Sequence, residues 1–163
     1  MYLRIFLPGL LLLANSAAVS ACPEGSETLI SCTFKDGVRT LTTCLQGEQA
    51  TYVFGRPGRQ PELEMKRDVR DVDMTPWPGI GGSIWEEAIF SNGNVRYIVY
   101  YSLSKDPGAR FPMEAGVIVE QNGEELAHLR CDAGSVDSGY PLPLFDAKVA
   151  AGQVYSLETG QWE

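Results

Sequence analysis

One histidine, His128, is all that the 163 residues contain, and no two of the four cysteines stand in a Cys-x-x-Cys spacing. The common zinc sites need several such ligands, and a serine or cysteine triad needs a base beside its nucleophile. Gly81-Gly82-Ser83-Ile84-Trp85 also lacks the closing glycine of a nucleophile elbow. Triad hydrolysis and zinc chemistry are both disfavoured. Basic residues are scarce, 13 Lys and Arg against 21 Asp and Glu, which argues against nucleic acid or an anionic membrane surface as partner. Glycine-rich phosphate loops and dinucleotide fingerprints are missing, so no cofactor is expected. The longest N-terminal apolar run, Ile5 to Leu13, falls well short of the roughly 20 residues that span a bilayer.

That run does have a use. It follows the positive charge of Arg4 and precedes an Ala- and Ser-rich stretch ending Val19-Ser20-Ala21, the order of a secretory signal peptide over residues 1–21. Mature protein would then begin at Cys22, although cleavage after Ala18 is the alternative. Removing residues 1–21 takes away only Arg4, which leaves 12 basic against 21 acidic groups, or −9. Negative charge of this size keeps an exported domain soluble and also suits a basic protein partner. Val19-Ser20-Ala21-Cys22 has the outline of a bacterial lipobox, so the expected location is periplasmic or secreted, with a lipoprotein anchored through Cys22 as the alternative. Lipidation would leave an odd number of thiols, whereas four cysteines suit two bridges.

The punctuation of the mature chain is that of hairpins. Asp36-Gly37, Asn92-Gly93 and Asn122-Gly123 each separate apolar, β-branched or aromatic runs, and such dipeptides supply the positive φ angles of tight turns. Strands are expected near 28–35, 38–45, 49–55, 62–67, 83–91, 94–103, 115–121 and 124–131. No long stretch before Cys131 has helical spacing of apolar residues. The expected fold is all-β: one antiparallel meander over residues 22–131, closed as a small barrel or folded as a sandwich, with residues 132–163 a C-terminal extension packed on it. Within that extension Leu144 to Val154 reads as a short helix or docked tail.

Turn positions set the pairing. A two-residue turn at Asp36-Gly37 puts Cys32 opposite Leu41 and Cys44 opposite Leu29, so Cys32 and Cys44 occupy opposite faces of one hairpin and cannot join. The pairs expected instead are Cys32–Cys131, tying the first strand to the last, and Cys22–Cys44, tying down the N-terminus. A two-residue turn at Asn92-Gly93 puts Glu86 opposite Val99, on a face otherwise apolar, with Trp85 on the reverse face. A carboxyl on an apolar face has a raised pKa unless paired, a mark of functional sites; the alternative is a solvated strand end, since Glu86 lies near the start of its strand and a slip of one residue would turn it outward.

The candidate binding residues are Trp77, Trp85 and Glu86. Trp77 stands between Pro76 and Pro78 in TPWPGIGG, a rigid loop whose aromatic serves either as a contact for a partner or as a packed plug. GRPGRQP, Gly55 to Pro61, is the other loop that interrupts the meander. By the Asn122-Gly123 register, His128 shares a face with Val117, Val119 and Leu126, where a lone histidine is a structural residue. Asp68, Asp71 and Asp73 crowd RDVRDVDM but lack the glycine and distal glutamate of an EF-hand loop, and no metal site is assigned.

Ile30-Ser31-Cys32 and Leu129-Arg130-Cys131 occupy positions that match a cysteine in the first strand and one near the last. On these residues, the signal or lipobox and the single β-domain, the chain resembles in outline the periplasmic inhibitors of C-type lysozymes. That family inserts a Ser/Gly-containing loop into the lysozyme cleft; Ser138-Gly139-Tyr140 and Gly82-Ser83 echo it here, outside the central strand where the family carries it. The resemblance implies a small binding module that inhibits a basic enzyme. An envelope accessory protein and an enzyme working through carboxylates such as Glu86 are the alternatives.

Overall fold

The computed structural model describes residues 22–163, and the secretory signal read over residues 1–21 lies outside them. The described chain runs β1 (Glu27–Phe34), β2 (Arg39–Gln46), β3 (Gln49–Gly55), β4 (Leu63–Asp68), a 3-10 turn (Val69–Asp71), β5 (Asp73–Thr75), β6 (Ser83–Asn92), β7 (Val95–Ser104), β8 (Met113–Gln121) and β9 (Glu124–Arg130). It ends with β10 (Asp137–Ser138), α1 (Pro143–Ala150), β11 (Tyr155–Ser156) and β12 (Gln161–Trp162). The fold is all-β, as the hairpin signals require, with one short C-terminal helix. It is a sandwich rather than a closed barrel: the meander divides into an antiparallel sheet ordered β10-β1-β2-β3-β4 and a second ordered β5-β6-β7-β8-β9.

Alternation of side chains gives each sheet one apolar face, and the two faces meet. Ile30, Cys32, Leu41 and Tyr52 from the first sheet pack with Ala88, Phe90, Val99 and Val117 from the second in one buried cluster. Tyr52 joins the layers through ring contacts to Phe90 at 5.6 Å and Tyr97 at 5.5 Å. Leu142 and Leu144, from the C-terminal segment, are fully buried in the same cluster. Residues 132–163 therefore complete the core and contribute the edge strand β10.

The chain crosses between sheets just after β9. Cys131 N–H donates to Ala115 in one sheet, and the next residue, Asp132, donates to Thr33 in the other. The bond Cys32–Cys131, spanning 99 residues of sequence, fastens this crossing, and Cys22–Cys44 fastens the N-terminus to β2. These are the two expected pairs: the opposite faces exclude Cys32–Cys44, and Cys22 lies close to the strand end that carries Cys44 while Cys131 directly follows the last strand of the meander. Asp132 also caps the β1–β2 turn, accepting from Thr33 Oγ1 at 2.6 Å, Gly37 N at 2.9 Å and Asp36 N at 3.1 Å.

Three local registers depart from the sequence reading. The β1–β2 turn takes four residues, Lys35 to Val38, and a bulge at Leu29 puts Cys44 opposite Thr28. That bulge buries both Leu29 and Ile30, while Thr43 Oγ1 bonds both the N–H and the C=O of Ile30. The β6–β7 turn falls on Gly93-Asn94, with Gly93 at φ 61°, so the register slides by two residues and Glu86 faces Tyr101 rather than Val99. A positive φ at only the first turn residue is the type II′ pattern, which a glycine there selects. Finally, a bulge in β9 pairs His128 with Ile118, which moves it to the face opposite Val117 and Val119.

Candidate functional site

Glu86 sits near the start of β6 and is 2% exposed. Its Oε2 accepts from the Tyr101 hydroxyl at 2.8 Å and from Leu142 N–H at 2.7 Å. Burial pushes the Glu86 carboxyl above its ordinary range, and the Leu142 and Tyr101 hydrogen bonds offset part of that shift. The carboxylate also pushes the Tyr101 hydroxyl up, after burial the second cause. Through Leu142, Glu86 fixes where the C-terminal segment enters the core.

Around Glu86 that segment builds most of a groove of about 590 Å³. Pro76 and Trp77 from the β5–β6 loop form one wall, Tyr140 and Pro141 one end, and Phe145, Asp146 and Val149 of α1 another wall. Val154, Tyr155 and Leu157 close the far rim. Trp77 is half-buried, held by donation from its indole N–H to Ile80 O at 2.8 Å and by an edge contact to Tyr140 at 5.9 Å. Tyr140, Val149, Val154 and Leu157 are all exposed, Leu157 by 85%. Exposed apolar side chains gathered in one concavity mark an interaction site more than scattered ones do.

The groove lining is acidic, with Lys105 beside it over the Trp77 ring. Its ionisable lining residues other than tyrosine are Glu86 and Asp146, and no Lys or Arg lines it. Asp146 is exposed and takes part in none of the ion pairs among the described residues. Aromatic faces nearby hold cations: Lys105 Nζ lies 4.1 Å from the Trp77 ring centre, and Lys148 Nζ lies 4.9 Å from that of Trp162. Trp162 in turn contacts Phe145 at 5.2 Å and Tyr155 at 5.3 Å.

The far rim is pinned by buried polar contacts. Lys148, 1% exposed, donates to Val69 O at 3.0 Å and Val72 O at 2.6 Å. Burial lowers its pKa, and the nearby Asp73, Asp71 and Asp68 pull it back up. Trp162 Nε1 donates to Met74 O at 2.8 Å. The acidic run read in the sequence thus faces a buried lysine and Arg70, and among the described residues no set of three metal-ligating side chains is gathered.

Of the residues singled out in the sequence, Trp77 and Glu86 come together in the groove. Trp85 does not: it projects from the opposite face of β6, cross-strand from Ser102. His128 accepts or donates at Nε2 with the Tyr100 hydroxyl at 2.8 Å on the outer face of the second sheet. A Cβ at residue 116 would lie 2.7 Å from that hydroxyl, so Gly116 lets Tyr100 lie across β8 to reach His128. Sequence reasoning touched Tyr140 only as part of Ser138-Gly139-Tyr140 and missed Asp146, Leu157, Lys148 and Trp162. Their signal was the aromatic density of residues 140–162, which only the docked tail turns into a wall.

No protein-family model, curated protein or solved structure matches the chain.

Proposed function

We propose that this chain is exported and acts in the periplasm or outside the cell as a binding module for a basic protein, with a lysozyme the first candidate. The observation that carries the reading is the groove itself: aromatic and aliphatic walls, exposed apolar rims, and a lining that among the described residues has no Lys or Arg and one exposed carboxylate, Asp146. A net charge of −8 for the whole chain extends the same preference beyond the groove and would speed encounter with a cationic partner. Export agrees with the disulfides, which persist in oxidising compartments. Because Cys22 Sγ is bonded to Cys44, this reading favours a soluble form over a lipid anchor at Cys22. Glu86 serves as the anchor of Leu142 rather than as an acid or base.

The test is capture of defined basic proteins, lysozyme among them, by the purified protein, with a muralytic assay alongside. Stoichiometric loss of muralytic activity that salt relieves supports the lysozyme case. Capture of none of the basic proteins at low ionic strength overturns the reading.

A further inference from the structure

Resting on that reading, we infer that the groove recognises an arginine side chain of its partner, flanked by apolar residues. Three features converge on this chemistry. First, Asp146 offers an exposed carboxylate outside every ion pair of the described residues, at the groove wall. Second, the groove is also lined by the rings of Tyr140, Phe145 and Tyr155, which carry no cation among the described residues, whereas Trp77 is already covered by Lys105. Third, the rims are aliphatic, with Val154 67% and Leu157 85% exposed, and would cover the neighbours of the cation.

Arginine fits this combination better than lysine. Its planar guanidinium stacks on aromatic rings, is more weakly hydrated than an ammonium, and can meet a carboxylate with parallel hydrogen bonds. A second copy of this acidic chain is disfavoured by like charge, since each exported copy carries 12 basic against 21 acidic groups, or −9.

The probes are blocked peptides of alternating leucine and arginine, with counterparts carrying lysine or the neutral isostere citrulline, titrated calorimetrically into the full exported protein. Arginine peptides should bind about tenfold tighter than citrulline peptides, a difference of about 1.4 kcal/mol, with lysine peptides between. Asp146→Asn should erase most of that difference, while Leu157→Ser should weaken all the peptides together. Both positions are exposed, so neither variant endangers folding. Equal binding of arginine and citrulline peptides overturns the arginine assignment, as does an Asp146→Asn variant that discriminates them as before. If basic proteins are still captured in a Leu157-dependent way, the binding-module reading survives that failure; if nothing basic is captured, both fall.

Discussion

Leu142 N–H and the Tyr101 hydroxyl converge on a single oxygen, Glu86 Oε2, at 2.7 Å and 2.8 Å. A carboxylate on β6 thereby sets the position of the segment that builds the groove. Removing it should be felt in two distinguishable ways. Glu86→Ala leaves two buried donors without an acceptor and should cost about 2–3 kcal/mol in denaturant unfolding. Glu86→Gln keeps an acceptor and removes the charge.

The pH dependence gives Glu86 its sharpest check. A carboxyl whose folded pKa is raised holds its proton longer in the native state, so its contribution to stability falls as pH rises from the unfolded pKa through the folded one. Glu86→Gln lacks this loss. The stability of the wild type relative to Glu86→Gln should therefore decline between pH 4 and higher pH and then level off; a difference that is flat or rises with pH would refute the buried-carboxyl account.

Asp132 should behave in the opposite sense. Its pKa is lowered, first by the Thr33 hydroxyl and then by backbone N–H groups of the β1–β2 turn. The stabilisation is present above the unfolded carboxyl pKa and disappears as pH falls through the folded value. Asp132→Ala is expected to cost about 1–2 kcal/mol near neutrality, and the gap from wild type should close on acidification. Equilibrium unfolding at a series of pH values measures both trends.

Lys148 ties α1 to the 3-10 turn and to Val72. Lys148→Met keeps the aliphatic stem but strips the donor from two buried carbonyls, so a loss of about 2 kcal/mol is expected. Because burial depresses the Lys148 pKa, its contribution to stability should increase as pH rises from the folded pKa toward the unfolded one. A thermal melt of Lys148→Met indistinguishable from wild type would rule out this anchoring role.

The bridges differ in reach. Cys32–Cys131 closes 99 residues and Cys22–Cys44 closes 22; on loop-closure entropy alone their losses are about 4.7 and about 3.4 kcal/mol. Double serine variants should rank in that order. Intact mass of the exported protein should show every cysteine short of one hydrogen and no acyl group on Cys22.

Hairpins were legible because glycine-containing turns and period-two patterns are local. The face of Glu86 followed from parity, and the disulfide partners from the opposite faces of Cys32 and Cys44 together with the strand ends near which Cys22 and Cys131 lie. What escaped was set by contacts distant in sequence. The two-residue slide between β6 and β7 depends on which residue of Asn92-Gly93-Asn94 takes positive φ, and the flip of His128 depends on a bulge in β9. Trp77 reads as a loop aromatic and Trp85 as a strand one, but which of them lines a groove depends on the contact of Trp77 with the distant Tyr140. The groove was least legible, since most of its lining belongs to a tail whose position is fixed by Glu86, Lys148 and Trp162.

Most direct for the central claim is calorimetric titration of lysozyme into the wild-type protein and into an Asp146→Asn/Leu157→Ser double variant, at low and at moderate salt. The account predicts stoichiometric binding by the wild type that weakens with salt and falls at least tenfold in the double variant. Lysozyme binding that is unchanged in the double variant, or absent from the wild type at low salt, would contradict it.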